Sequence, residues 1–202
     1  MKQMISVMVA MFLLLPGYLF AQEQVDAPKF KNGDFWHFNV SDKLVTSSSL
    51  RSSGVYEILF NDGKLQLFKV EQNEKSPVDG SKGQTQILQA MFGRGTYFGG
   101  KYLEFPLSVG KKWDIEFSLL PTGATKDVSF KGETTVAGFE SVSTPAGNFR
   151  ALKLTREIRS SNRNSNNATY YYSPEAKSVV KMLFEFADGP QTVELVKFGA
   201  AQ

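Results

Sequence analysis

From Lys112 to Leu119 apolar and polar residues alternate without a break: Trp113, Ile115, Phe117 and Leu119 fall on one side, Asp114, Glu116 and Ser118 on the other. A period of two is the spacing of an extended strand with one face buried and one in water, and it cannot be wrapped into an amphipathic helix. The pattern recurs along the chain. Trp36, Phe38 and Val40 carry it, as do Tyr56, Ile58 and Phe60, and Leu103, Phe105, Leu107 and Val109. Farther on it returns at Val128, Phe130 and Val136, at Leu152, Leu154 and Ile158, and at Val180, Met182, Phe184 and Phe186, with a last strand over residues 192–198.

The breaks between these runs are turn chemistry. Asn61-Asp62-Gly63 and Asp188-Gly189-Pro190 read as short hairpins, and residues 173–178 as a slightly longer one. In 144–148, Pro145 presets φ and Gly147 accepts φ > 0, which predicts a tight structural turn. Pro106 lacks an amide donor and marks an edge, a bulge or an interrupted strand. Residues 71–86 and 160–167 carry no pattern and read as polar loops. Ile87, Leu88, Met91 and Phe92 share a helical face, so a helical turn over 85–92 competes there with loop. Strands joined this closely pair as neighbours. The expected fold is all-β: an antiparallel up-and-down meander of about ten to twelve strands, curved into a half-open or closed barrel.

Residues 1–21 have a different character. Lys2 precedes an apolar run over 4–15, then Pro16-Gly17, then Ala21 before a polar stretch. That order reads as a secretory signal peptide, too short for a spanning helix of roughly 20 residues. Residues 22–202 then form a single β-rich domain with no membrane span after cleavage. The chain holds no cysteine, so neither a disulfide framework nor a lipidated cysteine is built. An exported protein without cysteine fits a bacterial periplasm or the exterior.

Composition narrows the chemistry. There are 23 basic and 20 acidic residues, a balance that argues against nucleic acid as a partner. With one histidine, His37, and no cysteine, the usual metal and nucleophile motifs are missing; no metal, no cofactor and no catalytic residue is expected. His37 alternates toward the polar face. Asp34 could relay a proton with it, but no nucleophile accompanies them. The glycine-rich 93–100 stretch lacks the Lys-Ser/Thr ending of a phosphate loop. Asp114, Glu116, Glu133 and Glu157 fit one polar sheet face, a hydrolase arrangement in principle and an ordinary solvated face otherwise.

Three ordered segments carry a resemblance: Phe105-Pro-Leu-Ser-Val-Gly-Lys-Lys-Trp113, then Val142-Ser-Thr-Pro-Ala-Gly-Asn-Phe149 with Ala151-Leu-Lys-Leu154, then Tyr170-Tyr-Tyr-Ser-Pro-Glu-Ala-Lys-Ser-Val-Val-Lys181. The chain resembles an uncharacterised family of exported bacterial β-rich proteins, of the domain-of-unknown-function type called TapB-like. The resemblance implies an exported β domain and supplies no catalytic residues.

Aromatic residues make up 13% of the chain, enough either to fill a core or to line a concave interior. The first functional expectation is a noncatalytic binding module for a lipid or other apolar or amphipathic envelope ligand, with Trp36, Phe38, Trp113, Ile115 and Phe117 as lining. Gly33-x-x-Trp36 and Gly110-x-x-Trp113 echo one another, either as two core plugs or as two walls of one cavity. The alternative is an envelope structural or protein-interaction module using Tyr171, which must face opposite Tyr170 and Tyr172.

Overall fold

The computed structural model describes residues 23–41, 54–78, 91–92, 101–119, 125–126, 128–161, 165–186 and 189–200. Twelve strands follow in order: β1 (Gln24–Val25), β2 (Phe35–Val40), β3 (Gly54–Asn61), β4 (Lys64–Glu71), β5 (Glu74–Pro77), β6 (Leu107–Ser108), β7 (Lys112–Leu119), β8 (Val128–Thr144), β9 (Gly147–Ser160), β10 (Ser165–Ser173), β11 (Ser178–Phe186) and β12 (Gly189–Gly199). β1 pairs with β6, and the other ten form one antiparallel sheet ordered β5-β4-β3-β2-β12-β11-β10-β9-β8-β7. The all-β expectation holds, and the sheet is open, with β5 and β7 at its ends. Two meanders, β2 to β5 and β7 to β12, are joined where β2 lies against β12, with Phe38 opposite Leu195 and Trp36 opposite Phe198.

The sheet curls. Ala146, at the tip between β8 and β9, donates its N–H to Leu195 O of β12 at 3.2 Å although β10 and β11 lie between. Phe149 of β9 meets Phe198 of β12 with ring centres 5.7 Å apart. β8 is bent by a register shift between Val136 and Gly138, the place where a bulge adds twist and re-aims side chains.

Local chemistry explains most turns. Asp62 and Gly63 both take positive φ (47° and 76°), the paired left-handed conformation of a two-residue hairpin. Thr144 pairs with Gly147 around Pro145 and Ala146, and Gly147 has φ 134°. The expected strand through Leu103, Phe105, Leu107 and Val109 is shorter than its alternation: only Leu107 and Ser108 pair. Pro106 has no N–H to give a ladder, and the preceding residues lie across the sheet face instead. The polar 71–86 stretch contributes an edge strand, β5, through a hairpin at Gln72 and Asn73 (φ 51° and 68°). Likewise Ser165–Asn167 extend β10, opposite Arg159–Glu157. Met91 and Phe92 are helical; residues 85–90 of that expected turn, the 93–100 glycine stretch and the signal segment 1–21 lie outside the described residues.

Strand register places the core. Val136, Leu154, Tyr170, Met182, Val193 and Val40 form one row across six strands on the inner face. All are at most 4% exposed. Beside it Leu152, Tyr172, Leu195, Phe38 and Tyr56 continue the apolar face. The covering layer is the chain's own: Phe30 packs on Trp36, Phe60 and Phe92, Tyr102 on Tyr170, and Phe105 on Tyr172. Burial of such aromatic rings, at ~25 cal/mol per Å² of apolar surface, supplies the driving force that no disulfide provides here.

Candidate functional site

The site is built from one of two matching corners. Gly33 (φ 87°) and Gly110 (φ 83°) each sit three residues before a tryptophan, in a backbone conformation that glycine adopts without strain. Gly33 N donates to Phe60 O, Phe60 N to Asp34 O, and Asp34 N to Lys31 O. Gly110 N donates to Val136 O, Val136 N to Lys111 O, and Lys111 N to Ser108 O. The three bonds correspond one for one. Each indole N–H also finds a backbone carbonyl in a covering segment: Trp36 Nε1 donates to Ala176 O at 2.6 Å and Trp113 Nε1 to Lys101 O at 2.9 Å.

What faces each indole differs. Trp36 lies opposite Ile58 in β3 and is enclosed by Phe30 and Phe92 at 5.3 and 4.7 Å. Trp113 lies opposite Thr134 in β8, and Thr134 opens a row that register carries through Arg156, Ala168, Phe184 and Gln191. This row runs beside the apolar row of the core. Thr134, Arg156 and Gln191 are 0%, 3% and 1% exposed. Among the described residues Thr134 Oγ1, Arg156 Nε and Nη1, and Gln191 Nε2 have no hydrogen-bond partner.

Among the described residues three charged side chains are buried: Asp34, Glu57 and Arg156. Asp34 accepts from Lys177 Nζ at 2.8 Å and from Lys31 N at 2.9 Å. Glu57 is held by His37 Nε2 and Lys75 Nζ, both at 2.6 Å. Arg156 has no carboxylate among the described residues. Its guanidinium lies 4.1 Å from the Tyr102 ring centre and donates to the Tyr170 hydroxyl. Burial pushes the Tyr170 phenol well above the ordinary tyrosine range, with Arg156 pulling partly against it, so that phenol stays neutral and offers no counter-charge. Leaving a buried ion unpaired costs on the order of several kcal/mol, and a guanidinium does not escape by losing its proton.

Past the polar row the inner face turns apolar again. Ile115 and Ile158, 1% and 8% exposed, flank Gly132 of β8. A Cβ on Gly132 would run into the Glu157 carbonyl oxygen and approach Ile158 Cα to 2.9 Å, so only glycine lets β8 and β9 close there. Both isoleucines lie outside the main core cluster.

The five expected lining residues therefore divide. Trp36 and Phe38 belong to the closed core. Trp113 and Ile115 flank the polar row. Phe117 pairs with Phe130 in the backbone ladder, and its side chain lies outside the described residues. His37 does face away from Trp36, but its carboxylate partner is Glu57 rather than Asp34. Asp114, Glu133 and Glu157 share one outer row with Glu116 nearby. Lys112 holds Glu133 at 2.7 Å, and with Thr135 lowers its carboxyl pKa; Lys131 holds Glu116 at 2.8 Å. Tyr171 is half-buried, opposite Lys153 and Lys181. A shallow cleft of about 420 Å³ is lined by residues including Glu23, Asp26, Lys29, Tyr172 and Lys177, none of them in the polar row. Among the described residues no cluster of metal-ligating side chains forms, and no helix is long and apolar enough to cross a membrane.

No protein-family model matches the sequence, nor does any curated protein sequence; the TapB-like label of the resemblance gains no match from them. Among solved structures the chain is similar to a Bacteroides fragilis protein described as exported and of YmcC-like fold. That match has 13% identity and a TM-score of 0.46, and covers 87% of this chain and 99% of that one. It is similar to the hypothetical lipoprotein YmcC from Escherichia coli at 14% identity and TM-score 0.38, over 84% of this chain and 85% of that one. A candidate lipoprotein from Parabacteroides distasonis matches at 11% identity and TM-score 0.42, over 88% and 100%.

Proposed function

We propose that this chain is a noncatalytic exported β-domain, residues 22–202 after removal of a signal peptide, that holds an amphipathic envelope ligand against the inner face of its sheet at the Trp113 end. The observation that carries this reading is the interruption of an otherwise apolar inner face by a buried polar row in which Thr134 Oγ1, Arg156 Nε and Nη1, and Gln191 Nε2 have no partner among the described residues. A protein that only needed a core would fill those positions with aliphatic side chains, as it does at Ile58. Aliphatic surface on both sides of the row, Val136 and Leu154 on one and Ile115 and Ile158 on the other, suits a molecule with an apolar body and a polar end. No step of bond making is assigned to it.

The test is native mass spectrometry on the protein purified without detergent from its own envelope fraction. The expected spectrum shows the mature chain plus a discrete increment of lipid size, reduced when Trp113 is replaced by alanine. Bare chain mass from that preparation, together with unchanged tryptophan emission on addition of single-chain amphiphiles, overturns the reading.

A further inference from the structure

We infer that the polar end of the bound ligand is an anion, a carboxylate on a single hydrocarbon chain, and that it is seated on Arg156 with Thr134 beside it; this rests on the ligand-holding reading above. The other two buried charges show how this protein treats charge out of water: Asp34 receives a lysine and a backbone amide, and Glu57 a histidine and a lysine. Among the described residues Arg156 receives the hydroxyl of a neutral phenol and the face of a ring, and no carboxylate. Two of its three nitrogens point at no acceptor. A guanidinium and a carboxylate match in shape as well as charge, two parallel N–H···O bonds forming at once.

The neighbours of Arg156 favour the same occupant. Thr134, directly opposite in β8, has an unpartnered hydroxyl that can donate to the same oxygen pair. On the other side stands Ala168, whose methyl group brings no competing polar atom. The ring of Tyr102 and the hydroxyl of Tyr170 both engage the guanidinium, and these contacts reduce the rotamer freedom left to be lost on binding. Trp113 neighbours Thr134 and Ile115 follows it on the same face, which places apolar surface next to the head for the first carbons of a tail. A small free anion would use the same donors but leave that surface unused.

The test uses the full mature chain with Trp36→Phe, so that Trp113 is the only fluorophore of its kind, titrated with dodecanoate, with dodecanol and with acetate. Dodecanoate is expected to bind about tenfold tighter than dodecanol, with acetate giving no signal and no competition. Arg156→Gln is expected to bring dodecanoate to within about twofold of dodecanol. Thr134→Val should weaken dodecanoate about threefold and leave dodecanol unchanged. Equal binding of dodecanoate and dodecanol by the unmutated site overturns the anion assignment while leaving an amphiphile carrier standing. Acetate competing at the same concentration as dodecanoate shows a free-anion site and overturns the hydrocarbon part. If neither long-chain probe binds, the ligand-holding reading falls as well. The comparison of head groups needs no substitution at Arg156, so it decides even if that variant fails to fold.

Discussion

At Trp36 and at Trp113 a positive-φ glycine three residues upstream, three corresponding backbone hydrogen bonds and an indole N–H capped by a carbonyl recur, yet the residue across the ladder is Ile58 in one place and Thr134 in the other. The backbone solution is the same because its causes are the same: a glycine that turns the chain into a strand and a large inward side chain that anchors its first rung. The side chains around it follow different rules. Near Trp36 they are Phe30, Phe60 and Phe92, and the adjacent buried charge, Asp34, is paired. Near Trp113 they are Thr134 and, one strand on, Arg156, with polar atoms left over. A matched corner that packs to completion shows what the chain does when only stability is at stake. The unfinished one is where the ligand-holding proposal places its site, since residues at functional sites are where a chain departs from what stability alone would choose.

The largest test of this contrast is deletion of each indole. Trp36→Ala should cost about 4 kcal/mol of unfolding free energy, since a fully enclosed ring and its hydrogen bond are both lost. Trp113→Ala should cost about half of that, because its surroundings are less completely apolar and more exposed. Chemical denaturation of both variants measures the pair, and equal losses would dissolve the distinction between the corners. The mirrored exchange across the ladder has smaller effects of opposite sign. Ile58→Thr places a hydroxyl without a partner in the closed core and should cost about 2 kcal/mol, whereas Thr134→Val removes one and should gain about 1 kcal/mol. A loss of stability in Thr134→Val would mean that the hydroxyl is satisfied within the protein.

Much of this is legible in the sequence. Alternation located β2, β3, β7, β9 and β11 because each has one face in the core, and Asn61-Asp62-Gly63 names its own hairpin. The strand through Leu103 was overextended because alternation cannot tell a strand from a covering segment whose apolar residues face the same core. β5, Glu-Lys-Ser-Pro, was invisible because an exposed edge strand buries nothing and therefore has no apolar period. The pairing of β2 with β12 is a contact between distant parts of the chain that no local pattern encodes. Arg156 is the instructive case. The inward positions of β9 are Leu152, Leu154, Arg156 and Ile158, so its parity was readable; counting only apolar residues passes over it. What no single strand reveals is that it has no carboxylate partner among the described residues, because that depends on the side chains brought beside it by β8, β10 and the segment carrying Tyr102.

The finest discrimination between the corners comes from Arg156→Met in the ligand-free protein. Replacing the guanidinium by a flexible apolar chain removes the desolvation cost of an unpaired ion, several kcal/mol, and relieves two donors without acceptors. Against this stand the contact with the Tyr102 ring, about 2 kcal/mol when desolvated, and the bond to the Tyr170 hydroxyl, about 1.5 kcal/mol for a charged donor. The balance favours methionine by about 1 kcal/mol, seen as a higher midpoint of denaturation. The same substitution at a charge that is paired must do the reverse: Asp34→Leu strands Lys177 and the Lys31 amide and lowers the midpoint. On the proposed reading the charge serves a bound partner, so adding dodecanoate should raise the midpoint of the unmutated protein while leaving Arg156→Met where it was. If Arg156→Met instead destabilises the ligand-free chain by as much as Asp34→Leu does, the guanidinium is a structural member and the two corners differ in packing alone.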